Sequence, residues 1–107
     1  MNPEPALACN MDVFTPDQRE NHLQTTTQLV HALQHVQEVE HGYEFMFPNQ
    51  ADVLVRIAEF IANEELCCPF LKFTLNVTSS SEPISLSLTG PVGTREFLQA
   101  EFEEAFR

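Results

Sequence analysis

Hydrophobic residues recur with period two in three stretches of this chain and with a helical period in three others. From Phe70 to Val77, residues Leu71, Phe73, Leu75 and Val77 fall on one side while Lys72, Thr74 and Asn76 fall on the other. That alternation predicts a half-buried strand. After the polar turn Thr78 to Pro83, Ile84, Leu86 and Leu88 alternate with Ser85, Ser87 and Thr89. The two runs form a hairpin with one apolar and one polar face, as in an antiparallel sheet covered on one side. A third strand, with Tyr43, Phe45 and Phe47 on one face, follows the turn His41-Gly42. Residues 35–40 are its expected hairpin partner, although Val36 and Val39 do not alternate cleanly.

The helical segments carry start and stop signals. Thr15-Pro16-Asp17-Gln18 places a capping hydroxyl, a first-turn proline and a capping-box glutamine in order, opening a helix that should run to about Gln34. Its expected inner stripe is Leu23, Thr26, Thr27, Val30 and Leu33, with Leu29 beside it. A second helix spans residues 50 to about 67, with Val53, Leu54, Ile57, Phe60 and Ile61 inward. Pro69 ends it and pushes Cys68 toward extended geometry. The run Gly90-Pro91-Val92-Gly93-Thr94 leads into a last helix reaching about Phe106, with Phe97, Leu98, Phe102 and Phe106 inward. The expected fold is therefore α+β, in the order α-ββ-α-ββ-α: an antiparallel sheet of about four strands in two hairpins, with helices mainly on one face. Hairpin followed by helix occurs twice, over 35–67 and 70–106, an echo that suits a ββα duplication. Residues 1–14, with two prolines and no period, form an expected extended N-terminal arm; residues 15–107 form a single α+β domain.

Composition narrows the functional classes. Sixteen acids against five Lys and Arg give a net charge of −11, which repels nucleic acid and anionic lipid surfaces. The longest mainly apolar stretch, Val53 to Ala62, is interrupted by Arg56 and Glu59, so no membrane span is expected. Met1-Asn2-Pro3-Glu4-Pro5 lacks the basic and apolar regions of a secretory signal, and a cytoplasmic location is the default expectation. One polar sheet face and a helical layer could support a homodimer. The three cysteines make an odd number, and two of them are adjacent. A vicinal disulfide needs a strained peptide geometry, so a disulfide framework fits poorly. Paired thiols in a reducing compartment are more often metal-binding or redox-active.

The chemistry concentrates in Glu64-Glu65-Leu66-Cys67-Cys68-Pro69-Phe70. At about 100° per residue, with Val53 as zero, Ile57 falls near ~40°, Phe60 near about −20° and Glu64 near ~20°. Glu64 thus lies in the middle of the apolar face, one turn before Cys67 and Cys68. A carboxylate there must be protonated, hydrogen-bonded or bound to a cation, unless the last turn frays and releases it to water. The negative end of a helix raises a thiol pKa, so neither cysteine is an obviously activated nucleophile. Both could be small buried hydrophobes. They could equally be thiolates toward a soft ion, which drives its own ligands to deprotonate. Cys9 is the third donor if the arm folds back, and His22, one turn into the first helix, is a further candidate. His31, His35 and His41 have no convincing ligand spacing. The Gly90-x-x-Gly93 pair lacks the lysine of a phosphate loop and reads as a turn.

Several of these residues belong to a wider pattern. Ala8-Cys9, Thr15-Pro16-x-x-Arg19-x-x-His22, Gly42-Tyr43-x-Phe45, Glu64-x-x-Cys67-Cys68-Pro69-Phe70-x-x-Phe73 and Leu86-x-Leu88-x-Gly90-x-x-Gly93-x-x-x-Phe97-Leu98 together cover most of the chain. This resembles a family of small uncharacterised bacterial proteins linked to metal- and mercury-responsive contexts. The resemblance implies that Cys9, His22, Glu64, Cys67 and Cys68 form one shared pattern; it does not imply that they meet in space. Three functional readings follow, in order of preference. The first is a thiol protein that binds zinc or another thiophilic ion through Cys9, Cys67 and Cys68, with Glu64 or His22 auxiliary. The second is an enzyme with Cys67 or Cys68 as nucleophile and Glu64 as acid/base, in thiol redox chemistry or carbon–metal cleavage. The third is an interaction domain whose cysteines are core filler.

Overall fold

Thr15 opens the first helix as its sequence requires. In the computed structural model, which describes residues 7–107, the Thr15 hydroxyl accepts from the Gln18 amide while the Gln18 side chain accepts from the Thr15 amide. Helix α1 runs Pro16–Ala32. A hairpin follows, β1 (His35–Val39) and β2 (Gly42–Phe47), then helix α2 (Ala51–Cys67). A second hairpin, β3 (Lys72–Asn76) and β4 (Ile84–Thr89), leads to helix α3 (Thr94–Glu101) and a 3-10 turn at Glu103–Phe106. The expected order α-ββ-α-ββ-α and the α+β class are those observed.

The four strands form one antiparallel sheet in the order β1-β2-β4-β3, so the two hairpins join through β2 and β4. Register aligns the apolar positions: Val36, Phe45, Leu86 and Leu75 make one row across the sheet, and Tyr43, Leu88 and Phe73 make another. The close approach of β2 to β4 explains Gly42, where a Cβ would strike the Leu88 carbonyl. Gly93 supplies the left-handed turn that starts α3, with φ 98°.

The core is centred on the two inner strands. Ile84, Leu86 and Leu88 pack with Phe45, Phe47, Val53, Ile57, Phe60 and Leu98 in one cluster. Strand β3 is shorter than its alternation suggests, and Leu75 and Val77 stay substantially exposed. It lies at the sheet edge, where periodicity records a face but not whether a helix covers it. Helix α1 also buries a different line from the expected one. His22, Thr25 and Leu29 point inward, whereas Leu23 is 55 % exposed. An apolar count could not find a stripe that begins with a histidine and a threonine. Helix α3 ends before the expected Phe106, and the following 3-10 turn sets the Phe106 ring 4.7 Å from Tyr43, edge-on.

The N-terminal segment is described over residues 7–14; the rest of the expected arm lies outside the described residues. Instead of running extended, it makes a 3-10 turn at Met11–Val13, where the Asn10 side chain accepts from the Asp12 amide. Phe14 then enters the core. Arg19 donates to the Met11 carbonyl from the first turn of α1. The arm is thereby folded back onto the end of α2, where the Asn10 amide donates to the Cys67 carbonyl at 2.7 Å.

Candidate metal centre

Three local features converge on the last turn of α2. The helical spacing carries Val53, Ile57, Phe60, Glu64 and Cys67 along one buried line. The proline at 69 ends the helix, and Cys68 leaves it with φ −126° and ψ 70° while its amide still donates to the Glu64 carbonyl. The arm brings Cys9 down from the other side.

Glu64 is 2 % exposed, so its carboxylate does not escape to water. Its two oxygens face different partners. Oε2 lies 2.8 Å from Nε2 of His22, itself buried on α1. The His22 ring is sandwiched between Phe14 and Phe60, with centroids 5.5 and 5.6 Å away. Its Nδ1 has no hydrogen-bond partner among the described residues. Oε1 faces the sulfurs, 2.9 Å from Cys68 Sγ, 3.3 Å from Cys9 Sγ and 3.8 Å from Cys67 Sγ. Glu64 is therefore a bridge between an imidazole and three sulfurs, which satisfies the requirement that a buried carboxylate be paired.

Cys9 and Cys68 are joined as a disulfide across 59 residues, leaving Cys67 as the free cysteine. The sequence made a disulfide framework a poor fit and left the approach of Cys9 open; a single bridge forms. An odd cysteine count excludes complete pairing but not one bridge, and the partner is the distant Cys9, not the adjacent Cys67, whose Sγ lies 3.7 Å from that of Cys68. In the disulfide, the Glu64 contacts are close approaches without a shared proton; in the dithiol, both cysteines can donate to Oε1.

Cys9, Glu64, Cys67 and Cys68 each offer one donor atom, all within 4.8 Å of one another, and this cluster could hold a metal ion. Three thiolates and a carboxylate form a donor set suited to zinc or a softer ion. The 3.7 Å between the Cys67 and Cys68 sulfurs matches the edge of a tetrahedron with metal–sulfur bonds of about 2.3 Å. His22 joins through Glu64, not as one of these four donors. His31, His35 and His41 are exposed.

The free thiol is unactivated, but burial and neighbouring carboxylates, not the helix end, are what raise it. The Cys67 thiol is pushed up to about 12, first by burial and then by the negative charges of Glu64 and Glu101. Glu101, an exposed residue at the end of α3, is itself held above the usual carboxylate range. Partial loss of solvent comes first and the charge of Glu64 second, with His22 acting the other way. Glu101 is not among the residues expected at the site. The only available signal was its place on the flank of the Leu98–Phe102 stripe.

The raised Cys67 pKa has a definite sign. The folded state keeps this proton to about pH 12, whereas the unfolded thiol loses it near 9. Between those limits the unfolded state binds fewer protons, so this group's contribution to stability falls as pH rises, by about 1.4 kcal/mol per pH unit. Urea unfolding at pH 8 and pH 10, compared between the wild type and Cys67→Ala, should show the wild type losing more.

Comparison with protein-family models, with curated proteins and with solved structures finds no match. No helix among the described residues is long and apolar enough to cross a membrane. Fold and site together define a small α+β domain with a buried cysteine–carboxylate cluster capable of holding a metal ion.

Proposed function

We propose that this protein binds one thiophilic metal ion, zinc or a softer cation, through the thiolates of Cys9, Cys67 and Cys68. Glu64 is the fourth donor and His22 the residue that orients it. The observation that carries this reading is the convergence of four donors from the arm and α2 within 4.8 Å of one another. A core that merely stored small hydrophobes would not spend a buried histidine–glutamate pair beside them. The ion would supply the positive charge that makes three neighbouring thiolates tolerable in an apolar setting.

The proposal predicts that the reduced protein takes up one equivalent of cadmium, with a sulfur-to-metal charge-transfer band, and that zinc displaces little of it. Cys67→Ser with Cys68→Ser should abolish stoichiometric uptake. His22→Ala, which removes only the partner that orients Glu64, should weaken binding by about 10- to 100-fold. Undiminished uptake by the double serine variant, or none by the reduced wild type, would sink the proposal.

The 2.9 Å approach of Glu64 Oε1 to Cys68 also favours a second reading, thiol chemistry with Glu64 as acid/base. It ranks below metal binding because the free thiol, Cys67, is held protonated and buried, the reverse of an activated nucleophile.

A further inference from the structure

The structure presents two uses of the same sulfurs. Cys9 and Cys68 are bonded to each other, yet both belong to the four-donor cluster. A disulfide sulfur carries no thiolate charge, so with this bond made the cluster falls from three thiolate donors to one. We infer that the Cys9–Cys68 pair is a redox gate on the metal site: a low-molecular-weight disulfide closes the gate and expels the ion, and a thiol reopens it. This inference rests on the metal-binding reading and specifies how that site is regulated.

The arrangement of the three cysteines determines which pair reacts. Cys67 and Cys68 are fully buried, whereas Cys9, on the arm, is partly exposed. An external disulfide therefore meets Cys9 first. The Cys9 thiolate attacks one sulfur of the reagent, forming a mixed disulfide and releasing one reagent thiolate. The Cys68 thiolate then attacks Cys9 Sγ, forming the Cys9–Cys68 bond and releasing the second. Two protein thiolates lose two electrons, and one small disulfide gains them to become two thiolates. Protons or a displaced metal ion balance the charge. Cys68 is the resolving thiol because its Sγ, and not that of Cys67, sits at bonding distance from Cys9 Sγ, and a Cys67–Cys68 bond is opposed by the strain of a vicinal disulfide.

The arm lets the gate work without refolding. The Asn10 amide on the Cys67 carbonyl, the buried Phe14 ring and the Thr15 capping box hold residues 10–15 independently of the disulfide. Breaking the bond therefore leaves Cys9 beside Glu64, ready as a donor. Because ion and disulfide exclude each other, the coupling runs both ways: a bound ion also protects the pair from oxidation.

The test compares anaerobically reduced protein with protein oxidised by oxidised glutathione, each desalted and then titrated with cadmium. The inference expects stoichiometric uptake by the reduced form and none by the oxidised form. The oxidised form should be lighter by two hydrogen masses, with a Cys9–Cys68 cross-linked peptide and Cys67 alkylated after unfolding. Glutathione disulfide added to cadmium-loaded protein should release cadmium in step with cross-link formation, and more slowly than it oxidises the metal-free protein. Equal uptake by both forms, or a cross-link between Cys67 and Cys68, overturns the gate and leaves the metal site standing. Absence of uptake by both forms overturns the metal reading and the gate with it.

Discussion

Glu64→Ala should destabilise the protein by about 3–5 kcal/mol, among the largest effects available to a single substitution in this chain. Glu64 and His22 form a buried pair, 2 % and 3 % exposed, linked at 2.8 Å. Removing the carboxylate leaves the His22 Nε2 without a partner in a sandwich of two phenylalanine rings, and its Nδ1 already has none. The buried imidazole then bears its full desolvation cost. Chemical unfolding of the metal-free, oxidised protein is the measurement, so that neither ligand linkage nor disulfide state contributes. The informative companion is the double variant His22→Leu with Glu64→Met. Replacing a buried polar pair with apolar groups of similar volume is often neutral or stabilising by about 1–4 kcal/mol. If the double variant matches or exceeds the wild type in stability while metal uptake falls, the pair is kept for its chemistry. A double variant as unstable as Glu64→Ala would instead assign the pair a structural role.

Reduction of the Cys9–Cys68 bond should cost about 4 kcal/mol, because the bridge closes a loop of 59 residues in the unfolded chain. For a domain of this size that corresponds to a fall in Tm of roughly 15–30 °C. Thermal unfolding with and without a reductant, in the presence of a chelator, measures it. The same measurement on reduced protein with cadmium should recover much of the loss, since an ion held by arm and helix replaces the lost cross-link and binds only the folded state. A chain whose Tm does not respond to reductant would show that no bridge had formed. A reduced chain whose Tm ignores cadmium would argue against the donor cluster as a site. With Glu64→Ala, these results would separate what the site contributes to stability from what it is for.

Much of the fold was legible because the patterns are local. The alternation at Ile84, Leu86 and Leu88 and at Tyr43, Phe45 and Phe47 named the two strands that became the centre of the core, since a two-residue period leaves only one face to bury. The capping box at Thr15 to Gln18 located the start of α1 to the residue. Helical geometry alone placed Glu64 on the buried face, and the residue preceding Pro69 left the helix as expected. What failed were features that depend on neighbours. Leu75 and Val77 alternate as well as any core residues, yet Leu75 sits on the edge strand and Val77 just beyond its end, and both stay exposed. His22 and Thr25 are polar and were left out of the expected inner stripe, yet both are buried, His22 against Glu64 of α2.

The candidate site divides in the same way. The sequence by itself placed a carboxylate on the apolar side of a helix ending in two cysteines, provided the last turn holds, because 3.6 residues per turn return Glu64 to that side; that the turn holds and buries it was decided by packing. It also argued against an activated nucleophile at the helix end; the free Cys67 thiol is indeed pushed up, but chiefly by burial and by the charge of Glu64. Only the tertiary structure decided what satisfies that carboxylate, since His22 is 42 residues away in sequence and meets it through the packing of α1 on α2. Only the fold of the arm, held by the Asn10 amide and the buried Phe14, decided that Cys9 reaches Cys68 across 59 residues. Spacing along a helix is set by backbone geometry and can be read in one dimension. Contact between a helix end, a second helix and a returning arm is set by which surfaces bury each other, and no local period records it.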